Sequence, residues 1–201
     1  MTGSGSHMPR RVAKALAGAV LLSLALASSG GSMTSAAAST RAPAAPGGHC
    51  IVHIDPLLHG EAASKVSAPK CFATFAQAIA AATSGTVRLE SSATPRGLAA
   101  RMLRPQRVAA TTVISVDYRD SGFSGISLTW YVSGTAGCAA NTYSASSMPS
   151  GWNDEVSSSQ RYDSCTHNPH YEHTGFRGAI YPCTCSSMGV MNDKTSSEKW
   201  S

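Results

Sequence analysis

Charge is scarce in this chain: Asp, Glu, Lys and Arg make up 13% of its 201 residues, about half the usual share. Serine, threonine, alanine and glycine fill the gap, a profile that suits an exported all-β protein better than a cytosolic helical one. The formal net charge of +5 does not by itself point to nucleic acid. Arg10, Arg11 and Lys14 sit in an acid-free N-terminal segment with the marks of a signal peptide. Without them 13 basic residues face 11 acidic ones, and the basic stripe that nucleic-acid binders need is mostly missing. A long apolar run is missing too: Ala15–Ala27 falls short of the about 20 residues that a membrane-spanning helix takes. No Gly-rich loop joins a strand to a helix, which removes support for nucleotide binding. There is no Gly-x-Ser-x-Gly, no His-Glu-x-x-His and no cysteine beside a convincing base. Asp120, Glu155 and Asp163 form no clear acid–base pair. The expectation is a protein that is not an enzyme.

What is present begins with an address. Arg10-Arg11-Val12-Ala13-Lys14 is a positive n-region, Ala15–Ala27 an apolar core, and Ala25-Leu26-Ala27 a small-x-small cleavage site. Residues 1–27 therefore read as a signal peptide, with 1–7 resembling a cloning remnant, and 28–48 as a flexible Ser/Ala/Gly/Pro tether. Secretion to the extracellular space is expected, with no membrane association after cleavage. The six cysteines fit that compartment, although six allow 15 pairings on paper. Sequence locality favours Cys50–Cys71 and Cys138–Cys165. Closing the 28-residue segment between the latter two contributes about 3.6 kcal/mol in the chain-entropy model. Cys183 and Cys185 stay open: they could pair with each other, pair elsewhere or bind a soft metal, but no further pair of zinc ligands stands at a suitable spacing.

Between 49 and 90 the pattern predicts a small disulfide-stapled α+β segment. Cys50–Ile54 reads as a strand, Phe72, Phe75, Ala76, Ile79 and Ala80 fall on one helical face, and Thr83-Ser84-Gly85 stops that helix. Thr86–Leu89 returns to strand. Residues 91–110 read as a basic linker carrying Arg96, Arg101, Arg104 and Arg107, with no acid between Glu90 and Asp117. Its plain reading is a solvated connection. Its sharper one is a processing site that would make 49–90 a pro-region.

From 111 to 201 the chain repeats itself. Thr111–Tyr118 alternates as a half-buried strand, and Ile126, Leu128, Trp130 and Val132 alternate again after a glycine turn. The run Tyr118-Arg119-Asp120-Ser121-Gly122-Phe123-Ser124-Gly125 recurs 53 positions later as Tyr171-Glu172-His173-Thr174-Gly175-Phe176-Arg177-Gly178. Each copy is followed by Asn-Asp-x-x-(Ser/Thr)-Ser, once from Asn153 to Ser158 and once from Asn192 to Ser197. Gly125 and Gly178 are expected at φ > 0, and Tyr118, Phe123, Trp130, Tyr171 and Phe176 as corner packing. Two successive units of short strands predict a sandwich of two Greek keys. His167, His170 and His173 recur every third residue, but Pro169 argues against a helix that would align them as a transition-metal site.

The ordered pair of Tyr-x-x-x-x-Phe-x-Gly with Asn-Asp-x-x-Ser-Ser, written twice, resembles the βγ-crystallin domain family. The resemblance spans roughly 117–201, under half the chain. The signal peptide, extra cysteines and Met148–Asp154 run look like its secreted actinobacterial members, which include Streptomyces-type metalloproteinase inhibitors and killer-toxin-like proteins. The resemblance implies an all-β C-terminal domain of two Greek keys with two calcium sites, preceded by the strand–helix–strand segment. Calcium takes six to eight hard oxygens, and Asp154 and Asp193 are the natural carboxylates. Ser157 and Ser196 match the family's hydroxyl ligand position. Glu155 and Lys194 match its backbone-carbonyl position. Arg119 and Glu172 each add a carbonyl across to the opposite loop, and Asn153 and Asn192 complete the candidate set. About one carboxylate per site, with Arg119 and Lys194 placing positive side chains nearby, implies modest affinity. Asn, Asp and Ser in a loop commonly form only turns and caps; the double occurrence is what favours calcium. The expected function is a secreted calcium-binding protein whose ions stabilise the fold, working as a monomer. The alternatives are an inhibitor of a secreted proteinase, presenting a loop near Gly134–Tyr143 or Cys183–Met188, and a killer-toxin-like protein.

Overall fold

The computed structural model describes residues 48–98, 103, 110–182 and 184–201, all within one compact unit. The expected signal peptide, nearly all of the tether, Arg101, Arg104, Arg107 and Cys183 lie outside the described residues. The β-rich repeat region forms two sheets. Strands β3 (Thr111–Asp120) and β4 (Ser124–Ser133) make the first hairpin, β5 is Tyr143–Ala145, and β6 is Ser158–Arg161. The second unit supplies β7 (Pro169–His173), β8 (Arg177–Pro182) and β9 (Ser197–Trp200). Strands β4, β3 and β6 lie side by side in one sheet, while β5 crosses to join β9, β7 and β8 in the other. A bridge from Ser159 to Cys185 makes the reciprocal exchange, carrying the second unit onto the first unit's β6. This swapping of a third strand between two like units is the Greek-key sandwich that the repeats predict.

The two hairpins match in detail. Each has a register shift just after its tyrosine, between Tyr118 and Asp120 and between Tyr171 and His173. Tyr118 meets Phe123 edge-on at 5.8 Å, and Tyr171 meets Phe176 at 5.6 Å. Both phenylalanines are left-handed, φ 58° and 61°, which is uncommon for a bulky side chain. The main-chain N–H of each donates to a motif serine: Phe123 to Ser158 Oγ at 3.0 Å and Phe176 to Ser197 Oγ at 3.1 Å. Gly125 and Gly178 follow at φ 75° and 79°, as expected. A Cβ on Gly125 would run into the Asp120 carboxylate, and one on Gly178 would lie 2.9 Å from the His173 ring. Gly60, also left-handed, would have nothing within 4 Å of its Cβ among the described residues. Gly125→Ala is therefore expected to cost about 2–3 kcal/mol, and Gly60→Ala only about 1 kcal/mol of backbone strain. Urea midpoints of the two variants compare them directly.

The segment before 111 is part of the same body. Strand β1 (His49–His53) lies parallel to β4, with Val52 opposite Trp130, and β2 (Lys70–Phe72) adds to β1. The bridge Cys50–Cys71 joins these two strands and Cys138–Cys165 ties the β4–β5 connection to the segment after β6. Both are the pairs that sequence locality favours, and Cys185 is disulfide-bonded as well. Helix α1 (Phe75–Ala82) starts one strand later than its apolar face suggests, because Phe72 belongs to β2. Thr74 and Gln77 close a capping box at its start, each side chain taking the other's N–H at 3.2 Å. Left-handed Ser84 and Gly85 end it, with the Gly85 N–H returning to Ala80 O at 2.7 Å.

Three expectations change here. Thr86–Leu89 is not a strand: Thr83 Oγ1 captures the Val87 N–H at 3.2 Å and the Thr86 hydroxyl bonds to Thr83 O at 2.7 Å, folding the chain back on the helix end. Strand β3 is not half-buried. Its inner face meets Trp130 and Trp200, and its outer face is covered by Phe75 and Ile79 of α1 against Val113, Val116 and Tyr118. The 91–110 stretch is more than a solvated connection, since Leu98 and Leu103 join this helix-side core and Arg96 Nε donates to Gly122 O at 3.1 Å.

Candidate metal centre

The two Asn-Asp loops meet and exchange groups. Asp154 N–H donates to Thr195 O at 3.0 Å, and Asp193 N–H donates to Val156 O at 3.1 Å. Both aspartates adopt the left-handed conformation, φ 57° and 54°, which Asp tolerates better than most residues. The side chains cross over as well. Ser196 Oγ donates to Asp154 Oδ1 at 3.1 Å, and Ser157 Oγ donates to Asp193 Oδ1 at 2.9 Å. Each carboxylate's other oxygen is held by its preceding asparagine, Asn153 Nδ2 to Asp154 Oδ2 at 2.6 Å and Asn192 Nδ2 to Asp193 Oδ2 at 2.8 Å. Ser157 N–H and Ser196 N–H are anchored on the paired tyrosines, at Tyr118 O (2.8 Å) and Tyr171 O (2.9 Å). One carboxylate from one loop and one hydroxyl from the other thus stand together at two equivalent places, both solvent-facing at the aspartates. The asparagines orient the acids by amide hydrogen bonds.

The charged neighbours are less alike than the loops. Arg119 packs over the Trp152 ring at 5.3 Å, donates to Gly151 O and pairs with Glu155, Nε to Oε2 3.2 Å. Its positive charge is therefore matched beside the first loop. At the equivalent place in the second unit, Glu172 Oε2 accepts from Ala179 N–H at 3.2 Å, and Lys194 is exposed.

A second cluster lies between the sheets, and the sequence reading did not assemble it. Asp117 of β3, His170 of β7 and Glu198 of β9 are fully buried, with one ligand-type atom of each within 4.8 Å of the others. His170 Nδ1 lies 3.2 Å from Glu198 Oε1. Trp130 Nε1 donates to Asp117 Oδ2 at 2.7 Å, while Asn168 Nδ2 reaches Glu198 Oε2 at 3.5 Å and Lys199 O at 3.1 Å. Burial pushes the Asp117 carboxyl well up, with the Glu198 charge adding to it. Burial also pushes Glu198 up to about 8 and holds His170 below its ordinary value. This is a donor set that could hold a metal ion. His167 and His173 are not part of it: both are exposed, and His170 alone of the three faces inward on its strand. The usable hint was position, since Asp117 and His170 each immediately precede a paired tyrosine.

No family model matches the chain, and no curated protein matches it. Among solved structures it is similar to a double mutant of a βγ-crystallin domain from Clostridium beijerinckii, at 18% identity and a TM-score of 0.32, covering 43% of this chain and 96% of that one.

Proposed function

We propose that this is a secreted, non-catalytic protein of βγ-crystallin type whose two Asn-Asp loops bind calcium. The observation that carries the reading is the crossed pairing of Asp154 with Ser196 and of Asp193 with Ser157. Such pairing joins the two units at both places, so a cation gathering those oxygens favours only the folded chain. The donors are hard oxygens on flexible loops, which suits calcium rather than a softer ion. Main-chain carbonyls of Arg119, Glu155, Glu172 and Lys194 complete the sets in this reading. The disulfides Cys50–Cys71 and Cys138–Cys165 fit an oxidising, extracellular location, and among the described residues no helix is long and apolar enough to cross a membrane.

Calcium at about a hundred times its dissociation constant is expected to add about 2.7 kcal/mol, or about 5–10 °C in melting temperature. The double variant Asp154→Ala/Asp193→Ala is expected to lose both the calorimetric heat and the shift. A wild-type apo-protein that shows neither would end the reading. A second reading, inhibition of a secreted proteinase, is favoured by the exposed Gly134–Ala136 stretch next to the Cys138–Cys165 bridge. Absence of inhibition of a thermolysin-like enzyme at micromolar protein would reject it for that class.

A further inference from the structure

The interior between the two sheets should be apolar, yet at one place it is not. Asp117 and His170 stand at equivalent positions of the two hairpins, 53 residues apart, and Ser159 and Glu198 at equivalent positions of the two closing strands, 39 apart. In strand register Asp117 faces Ser159 and His170 faces Glu198. Three of these four residues are ionisable and all four are fully buried. Burying such groups is costly unless each is satisfied by a partner. Here they are satisfied only by one another: the Asp117 and Glu198 carboxyls hydrogen-bond to each other, while among the described residues Asp117 Oδ1, Glu198 Oε1 and both ring nitrogens of His170 have no partner outside the cluster.

These atoms are arranged, not scattered. Each carboxylate has one oxygen held by an outer donor, Asp117 Oδ2 by Trp130 and Glu198 Oε2 by Asn168, and one oxygen without such a donor. Fixing one oxygen from outside while the other is free to ligate is how outer partners orient metal-binding carboxylates. His170 Nδ1 and Glu198 Oε1 are 3.2 Å apart without hydrogen-bond geometry. Two ligands each at about 2.0–2.1 Å from one tetrahedral ion stand about 3.3 Å apart. Ser159 Oγ, which donates to Asn168 Oδ1 at 3.3 Å, brings a neutral oxygen to the edge of the same cluster.

We propose that Asp117, His170 and Glu198 hold a divalent transition-metal ion, zinc by their donor set, inside the sandwich and apart from the solvent-facing calcium loops. One imidazole and two carboxylates suit zinc and its neighbours, whereas calcium would need six to eight oxygens. The ion ties β3 of one unit to β7 and β9 of the other and neutralises two acids that otherwise share a dry site. Because all three ligands are inaccessible, the ion is taken up as the chain folds and then exchanges slowly.

The test uses the full chain with its disulfides intact. It is unfolded in guanidinium with a strong chelator, freed of both, and refolded with or without Zn²⁺, in excess calcium so that the surface loops are occupied. Refolded protein is passed through a weak chelator to strip zinc from the exposed histidines, and retained zinc is measured by elemental analysis. Wild type refolded with zinc is expected to retain about one equivalent per chain and to melt higher than the zinc-free sample. Refolding with Co²⁺ is expected to give ligand-field absorption and to quench emission from Trp130, which is bonded to Asp117. His170→Asn and Glu198→Gln are expected to lower retained zinc at least about tenfold. Should either fail to refold, Asp117→Asn keeps an acceptor for Trp130 and is expected to show the same loss. Wild type that retains no zinc overturns the proposal, whatever the variants do. Retention that survives His170→Asn overturns it too, because the ion would then be bound elsewhere. Loss of the calcium response leaves this result untouched, so the two sites fail separately.

Discussion

A chain that begins at Thr111 is expected not to fold as a cooperative unit, although it contains both hairpins and both Asn-Asp loops. The residues before it contribute Ile51, Val52, Ile54, Phe75 and Ile79, each at most 5% exposed. At about 2 kcal/mol for each large apolar side chain buried, they supply on the order of 10 kcal/mol of gross stabilisation. A domain of this size has about 5–15 kcal/mol in all. Their loss would also bare Val113, Val116 and Tyr118 where α1 packs, and would leave β4 as a ten-residue edge strand, a template for aggregation. Cleavage of the intact chain at Arg101, Arg104 or Arg107 is a different case. Both bridges, Cys50–Cys71 and Cys138–Cys165, close within one side of the cut. The pieces would then be held by the β1–β4 ladder and the helix packing, and are expected to co-elute until denatured. Near-ultraviolet circular dichroism and urea unfolding of residues 111–201 alone provide the check. A sharp transition with native-like aromatic signals would show that the earlier segment is dispensable.

Local features of this protein were legible in its sequence, and exchanged ones were not. Tyr118–Gly125 and Tyr171–Gly178 announce themselves because a tight hairpin needs its glycine and its aromatic at fixed offsets. The repeat says that Asn153–Ser158 and Asn192–Ser197 are alike. It does not say that Asp154 takes its hydroxyl from Ser196, 42 positions away, because strand exchange is decided by tertiary packing. Helix α1 follows from its period, but nothing in that period says it covers β3. The alternation of Thr111–Tyr118 therefore reads as one buried face when both are buried. Spacing says little at His167, His170 and His173. A three-residue step aligns side chains on a helix, whereas on β7 only His170 turns inward. Asp117 and Glu198 pass for ordinary strand charges until register sets Glu198 opposite His170 and the packing of the two sheets brings Asp117 to both.

Trp130 and Trp200 offer a way to weigh the polar groups in that interior. Both are fully buried, with ring centroids 4.8 Å apart, and each donates its indole N–H to a β3 side chain. Trp130 Nε1 donates to Asp117 Oδ2 at 2.7 Å, and Trp200 Nε1 to Ser115 Oγ at 2.8 Å. Truncation to alanine removes a whole ring from the sandwich, and Trp130→Ala is expected to cost about 5 kcal/mol, enough to threaten the fold. The phenylalanine variants separate packing from polarity. Each loses one N–H and part of a ring, so the volume penalty is similar, about 1–2 kcal/mol. The groups left behind differ. Ser115 keeps a hydroxyl that can rotate to another acceptor, and losing a neutral bond costs about 1 kcal/mol. Asp117 is held in a dry site where burial favours its neutral form, and a buried carboxyl oxygen left without its donor costs toward the upper end of about 1–3 kcal/mol. Trp130→Phe is accordingly expected to lie about 1–2 kcal/mol below Trp200→Phe in stability, read from urea midpoints at unchanged m. Equal midpoints would mean that the Asp117 carboxyl finds another donor once the indole N–H is gone. A gap that closes when zinc is present during refolding would place the compensating cation beside that carboxyl.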